Sequence, residues 1–448
     1  MKENKKQIFI ITSIIIVILF SYMPEMFGLT KNMISAIGLF IGCMIIWLSE
    51  SLPISISTLI MIALLPITGL MTFDKAIDSI GVNTALFIMA SSGITVAVSE
   101  SLIPNYISSF IIRKFQERPR LLVFVVGVVT SLFSAFMSSL ATCVLFEGIL
   151  SSSFKDCTDN KQIRKSLMLA IPACAGIGGF MSPAGTPANI LVLDVLNSHG
   201  IKVSFASWCA IGFSLGILTV VLFLLSLNLF IRPRKMLISQ GEKENLQNKD
   251  RVIIFIVLLV IALWFVSSFV KELNITIVAI IGLALLFMPK LKILNMKTFS
   301  SKVNWDLVIT MGTVSVLMTA ISDSGIFNMI IKKIFAGVEN GNIFIILICV
   351  SACVCIIRAF IPTTSAVVAL FSPALISISA VAGIDLKILM FVLAFWAASE
   401  LILIYTEPIY LITYKNKCYS EKDLLKCGVL PSAIMIVLAP ILLYTLLL

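Results

Sequence analysis

Long apolar runs dominate the chain, broken by short polar or basic stretches. Runs of about 20 apolar residues suit helices that cross a bilayer. Eleven are predicted: 8–20, 33–49, 53–70, 83–103, 167–193, 205–231, 252–270, 275–289, 305–325, 388–412 and 428–448. The first follows a short basic start but precedes no small-residue cleavage site, so it reads as a membrane helix rather than a signal peptide. Two more apolar stretches, 121–154 and 342–382, differ in kind. Each carries polar residues at its centre: Ser138, Ser139 and Thr142 in one, Thr363, Thr364 and Ser365 in the other. Each reads as a re-entrant hairpin that enters and leaves on one side.

Charge tests this topology. With the N-terminus inside and neither hairpin crossing, the loops at 2–6, 113–120, 155–165, 232–251, 290–302 and 415–426 lie inside and hold 25 Lys and Arg. The outer segments hold 7, and Arg358 alone sits in a hairpin. That asymmetry puts the N-terminus in the cytoplasm and the C-terminus outside a multi-pass cell-membrane protein. A full crossing at 121–154 would move the 155–165 and 232–251 loops outside.

The halves echo each other. ALFIMASSGITVAVSESLI (85–103) parallels DLVITMGTVSVLMTAISDSGI (306–326), and Gly93 matches Gly312 at an offset of 219. Each is followed by an amphipathic stretch with a basic pair, Arg113–Lys114 or Lys332–Lys333, and then by a hairpin. Each half then has an apolar helix interrupted by Thr and Pro, SPAGTPANILVL (182–193) and IYTEPIYLI (404–412). Thr186 matches Thr406 at an offset of 220. The first hairpin starts inside and the second outside, so the repeats are inverted. The expected division is 1–82 as N-terminal helices, 83–231 as the first repeat, 232–304 as a cytoplasmic loop with further helices, and 305–448 as the second repeat. This all-α inverted arrangement is that of a transporter, with its site at the midplane. Interrupted helices expose N–H groups that suit an anion and carbonyls that suit a small cation.

Composition agrees. Of 448 residues, 59% are hydrophobic and 12% charged. Soluble proteins run about 45–50% apolar and about 25% charged, which excludes a soluble enzyme. The net charge of +10 resides in the loops, and no basic segment with interleaved aromatics points to nucleic acid. The ten cysteines contain no C-x-x-C and read as small packing residues. His199 is the only histidine, so His-based metal sites and Ser/His or Cys/His catalytic pairs are excluded. No P-loop motif is present, so no ATP hydrolysis is expected.

WLSESLPISISTLIMIALLPITGLM (47–71), GGFMSPAGTPANILVL (178–193) and WDLVITMGTVSVLMTAISDSGI (305–326) together resemble the divalent anion/sodium symporter family of dicarboxylate and citrate transporters, in the same order and over essentially the whole chain. The resemblance implies a homodimer in which a transport domain moves like an elevator against a scaffold domain. It implies sodium at Ser134, Ser138, Ser139 and Gly185. It implies substrate carboxylates at Ser139, Thr186, Pro187, Asn189, Thr363, Thr364, Thr406 and Pro408. The chain departs from the family's Ser-Asn-Thr tips: the first reads Ser138-Ser139-Leu140 and the second Pro362-Thr363-Thr364. Glu407 and Ile409 also depart from its Thr-Pro-Pro-Asn pattern. These departures leave the substrate and the sodium number open.

Membrane hydroxyls often bond only their own helix. Glu50, Glu100 and Asp323 sit near span ends and suit helix caps or headgroup water. Ionisable groups within the membrane are costly and usually functional, which draws attention to Glu147, Glu400 and Glu407. Glu407 could ligate a cation, carry a coupling proton or pair with Arg358. Arg358 is the repeat mate of Ser134, by the offset of 224 that relates Ser139 to Thr363. It could replace a second sodium, bind a substrate carboxylate, snorkel outward or pair with Glu407. The expected function is cation-coupled transport of small organic anions, with sodium or protons as the coupling ion and no resident cofactor. Anion:anion exchange is the alternative; an intramembrane carboxylate enzyme or a channel stands further off. Sulfate, succinate, malate, citrate and tartrate all remain as substrates.

Overall fold

The computed structural model describes residues 2–115, 117–153, 161–233, 245–270, 272–335, 342–361, 363–405 and 407–447. Regular structure among them is helical, apart from a single bridge between Met26 and Leu29. Among the described residues eight helices are long and apolar enough to cross a bilayer, and several shorter apolar ones accompany them.

The chain begins with α1 (Lys2–Ser21), α2 (Lys31–Ser49), α3 (Ile54–Thr68) and the short α4 (Phe73–Asp78). Local chemistry sets their ends. Thr30 caps α2 by accepting from the Met33 amide at 3.4 Å, and Gly69 closes α3 in the left-handed region at φ 71°. Then follow α5 (Val82–Ser99), the amphipathic α6 (Ile103–Phe115), α7 (Pro119–Phe136), α8 (Ser139–Ser153), α9 (Lys161–Phe180), α10 (Pro187–Ser198) and α11 (Phe205–Phe230). Helices α12 (Asn248–Val266), α13 (Ile275–Leu286) and α14 (Met296–Lys302) connect to the second half. There α15 (Trp305–Asp323), α16 (Ile326–Phe335), α17 (Ile343–Arg358), α18 (Thr364–Ala382), α19 (Leu386–Ala398), α20 (Pro408–Tyr414) and α21 (Glu421–Leu447) repeat the order of α5 to α11.

Two predicted continuous spans are each two helices. The 167–193 run is α9 and α10 with a break between, and the 388–412 run is α19 and α20. Proline opens α10 and α20, where its fixed φ suits the first helical position and no N–H partner is needed. The 83–103 run likewise stops at Ser99, and α6 starts a separate helix. The last helix begins at Glu421, well before the predicted 428.

Polar contacts sort the loops into two ends. At one end Lys6 donates to Glu50 O at 2.8 Å, the Leu102 amide to Asp250 at 3.1 Å, and Lys165 to Asp423 at 2.8 Å; Lys302 pairs there with Glu100. At the other, Lys75 meets Asp323 at 2.7 Å and the Ala206 amide meets Ser268 at 2.9 Å. If 121–154 crossed the bilayer, Leu102 and Asp250 would lie about 30 Å apart. If 342–382 crossed, Lys165 and Asp423 would be separated likewise. Both segments therefore turn back: α7 with α8, and α17 with α18, are hairpins.

Two apolar cores hold the bundle. The larger gathers α2, α3, α5, α10, α15, α18 and α19; the smaller gathers α7, α8, α9, the second half of α11 and α20. Burial of this kind positions the hairpins, because lipid offers helices no hydrophobic drive to associate and close packing must supply it.

Candidate functional site

The first hairpin turns at Met137 and Ser138. Met137 is extended (φ −130°, ψ 159°), and α8 starts at Ser139. Just before the turn, Ser134 Oγ lies 2.5 Å from Ala175 O and 3.0 Å from Ser139 Oγ. Ser139 Oγ in turn donates to Gly185 O at 3.4 Å. Four oxygens thus converge between the first tip and the first break. Glycine makes the approach possible: a Cβ on Gly185 would sit 2.5 Å from Gly179 O and 2.6 Å from Ser134 O. The set consists of hydroxyls and carbonyls, the hard neutral donors that suit an alkali cation. Among the described residues no three His, Cys, Asp or Glu converge as they would on a transition metal.

The first break satisfies its own backbone. Asn189 Nδ2 donates to Gly179 O at 2.8 Å and Ser182 O at 2.7 Å, and Trp208 Nε1 donates to Phe180 O at 3.0 Å. Ser182 Oγ bonds Ala135 O, tying break to hairpin. Asn189 is fully buried and is absent from the cavity wall, so it braces the break. Thr186 caps α10 in an extended conformation (φ −144°, ψ 146°), and its side chain makes no cap bond.

The second half has other chemistry. Thr363 caps α18, its hydroxyl accepting from the Ala366 amide at 3.4 Å. Arg358 is 1% exposed. Its Nε donates to Ala397 O at 3.0 Å, its Nη1 to Ile361 O at 2.7 Å, and its Nη2 to the Glu407 carboxylate. It neither snorkels outward nor lines the cavity. Glu400 binds its own break, accepting from the amides of Ile402 at 2.7 Å and Leu403 at 2.9 Å. Glu147 fastens α8 to the segment after α20, accepting from Asn416 at 2.6 Å with Lys415 at 3.4 Å. The helices that lead into the two breaks meet: a Cβ on Gly176 would lie 3.0 Å from Ala398 O. Thr406, expected to mirror Thr186, lies outside the described residues.

Between tips and breaks lies a cavity of about 580 Å³. Ser138, Ser139, Gly185, Thr186 and Pro187 line it from the first half, and Thr363, Thr364, Glu407 and Pro408 from the second. The helices α8, α10 and α18 all begin on its wall, as does the short α20. Their first turns border one space, where the positive ends of the helix dipoles favour an anion. The cavity reaches Ser99, Lys302, Asn304 and Asp306, at the end where Lys302 meets Glu100. Those residues escaped the sequence reading, as did Ser91, Ser92, Thr95 and Thr310 on the wall. A signal was present: Ser91, Thr95 and Ser99 recur every four residues along one face of an apolar helix.

The chain matches the citrate transporter family over residues 43–274 and 269–448. An uncharacterized transporter of Haemophilus influenzae is 23% identical over 96% of this chain and 94% of its own length. The inorganic phosphate transporter PHO87 of Saccharomyces cerevisiae is 23% identical over 73% of this chain and 37% of its own length. The sodium-dependent dicarboxylate transporter SdcS of Staphylococcus aureus is 24% identical over 37% of this chain and 34% of its own. Among solved structures, the YdaH transporter of Alcanivorax borkumensis superposes with a TM-score of 0.60 at 13% identity, covering 83% of this chain and 87% of that one. With both halves matched and the helical architecture shared, the chain is a membrane transport protein, not an enzyme, and belongs to the citrate transporter family.

Proposed function

We propose that this protein carries small di- or tricarboxylate anions across the cell membrane by alternating access, one anion at a time seated in the cavity between the two hairpin tips. The observation that carries the reading is the convergence of the α8, α10 and α18 N-termini on that cavity. Helix N-termini are anion sites even without a cationic side chain. Thr186, Thr363 and Thr364 add hydroxyls beside them. A sodium ion in the nest of Ser134, Ser139, Ala175 O and Gly185 O would bring positive charge beside the anion, with Ser138 at the same tip.

In this reading the two halves are inverted repeats, and the hairpins with α9, α10, α19 and α20 move as one body against the remaining helices of a homodimer. The N-terminus is cytoplasmic, and the cavity opens inward, toward the end rich in Lys and Arg. Anion:anion exchange is the second reading, favoured by the hairpin tips, whose residues depart from the sodium-binding pattern. Phosphate is the second substrate class, given the phosphate transporter among the relatives.

A thermal-shift screen of purified protein against citrate, succinate, malate, sulfate and phosphate, in sodium or in choline, tests both. A ligand that binds only the folded state raises its melting temperature. Stabilisation by a carboxylate, larger in sodium, is expected; a response to phosphate alone would move the substrate assignment. Uptake into liposomes without internal anion separates symport from exchange.

Two substitutions test the walls. Thr186→Val keeps the shape and removes a hydroxyl, so substrate affinity should fall about tenfold, the loss of one hydrogen bond to a charged group. Ser134→Ala should raise the sodium concentration for half-maximal uptake by a similar factor. Normal affinities in both variants would remove these residues from the site.

A further inference from the structure

The two halves hold their tips by the same contact, with one chemical difference. In the first, Ser134 precedes the turn and lies against Ala175 O, while Gly185 O closes the nest. Counting 224 residues on from Ser134 and 222 from Ala175 gives Arg358 and Ala397, while Glu407, the N-cap before Pro408, holds in the second half the place that Thr186 holds before Pro187 in the first. The contact recurs there: Arg358 Nε donates to Ala397 O at 3.0 Å. The Glu407 carboxylate accepts from Arg358 Nη2, and Ile361 O supplies a further acceptor at 2.7 Å. One half therefore gathers neutral oxygens, two hydroxyls and two carbonyls. The other gathers oxygens, one of them anionic, around a guanidinium.

We infer that Arg358 is a tethered replacement for an exchangeable cation in the second half, so that the protein binds a single coupling cation per chain, in the Ser134 nest. The inference rests on the sodium reading of that nest. A guanidinium stays protonated in proteins and is bound to the chain, so it can neither dissociate nor lose its charge during the cycle. Its burial and its bonds to Ala397 O, Ile361 O and Glu407 leave a sodium ion no place among those oxygens. The charge of the pair sums to zero and travels with the protein, and only the first half exchanges an ion with solution.

The test counts ions on purified protein. Radioactive sodium binding should saturate at about one ion per chain, and the sodium dependence of thermal stability should give a Hill coefficient of about one, because that coefficient cannot exceed the number of coupled sites. Two ions per chain in the wild type would overturn the inference. The double substitution Arg358→Ser with Glu407→Thr gives the second half the residue types that Ser134 and Thr186 supply in the first. It should add one bound sodium, while Arg358→Lys, which keeps the charge, should add none. A folded double variant that binds no more sodium than wild type would equally overturn it. If the double variant does not fold, the wild-type count decides. A wild type that binds no sodium would end the sodium reading of the first nest and leave the tether to be judged by the double variant's gain. Failure of the wild type to exchange any carboxylate would strike the transport reading instead.

Discussion

Arg358→Met should abolish uptake and leave little folded protein in the membrane. The substitution conserves length and removes the charge. It strands the carboxylate of Glu407, which is largely buried and has Arg358 as its ion-pair partner. It also removes donors from Ala397 O and Ile361 O. Breaking one side of a buried pair costs about 3–5 kcal/mol, a large part of the margin that keeps a typical domain folded. The companion substitution Glu407→Gln in the same chain should restore much of the folded yield, because it removes the stranded charge. Size-exclusion profiles and melting temperatures of the single and double variants measure this. Equal losses in both would mean that the damage lies in packing rather than in the unpaired carboxylate.

Gly428→Ala should be nearly as harmful, although one methyl group is added. A Cβ there would lie 1.7 Å from Leu401 O, a backbone atom of the second break. Backbone on both sides cannot yield as a side-chain end can, and overpacking of this kind costs about 1–3 kcal/mol or more. The displaced break carries the Glu407 and Pro408 wall of the cavity, so carboxylate uptake should fall with stability. Gly148→Ala is the control. It has open space around it and lies within α8, so alanine should be neutral or mildly stabilising. Melting temperatures of the two variants in one detergent check the contrast.

Much of this architecture is visible in the sequence, because a bilayer imposes strong rules. Apolar runs mark the helices, and Lys and Arg mark one end. The pairings of Leu102 with Asp250 and Lys165 with Asp423 lie where that charge pattern requires. Hydroxyls at Ser138–Ser139 and Thr363–Thr364 mark the turns, because polar residues inside apolar runs need a cavity or a partner. What escapes is side-chain direction. Asn189 and Arg358 sit at the right positions in the chain yet bond to carbonyls behind the cavity wall. Conversely, Lys302 and Asp306 look like loop or helix-start residues in sequence and reach the cavity because α14 ends and α15 begins at its wall. Asp194, just past the predicted 167–193 span, likewise shows nothing in sequence of its neighbour; its carboxylate lies 3.4 Å from Ser315 Oγ on α15. One-dimensional periodicity gives the face of a helix, not which neighbour that face meets.

The touching of the helices that lead into the two breaks, at Gly176 and Ala398, has a consequence for how the molecule opens. Irregular backbone in a protein is normally where amide protons exchange earliest, each loop by its own local fluctuation. Here the last carbonyl of α19, at the start of one break, rests against α9, the helix that leads into the other, and each break is also tied to its own hairpin through Ser182 or Arg358. Opening either one must disturb both. Amides such as Ala184 in the first break and Ile402 in the second should therefore exchange with a common free energy and respond together to denaturant. They would behave as one cooperative unit assembled from segments more than two hundred residues apart in the chain.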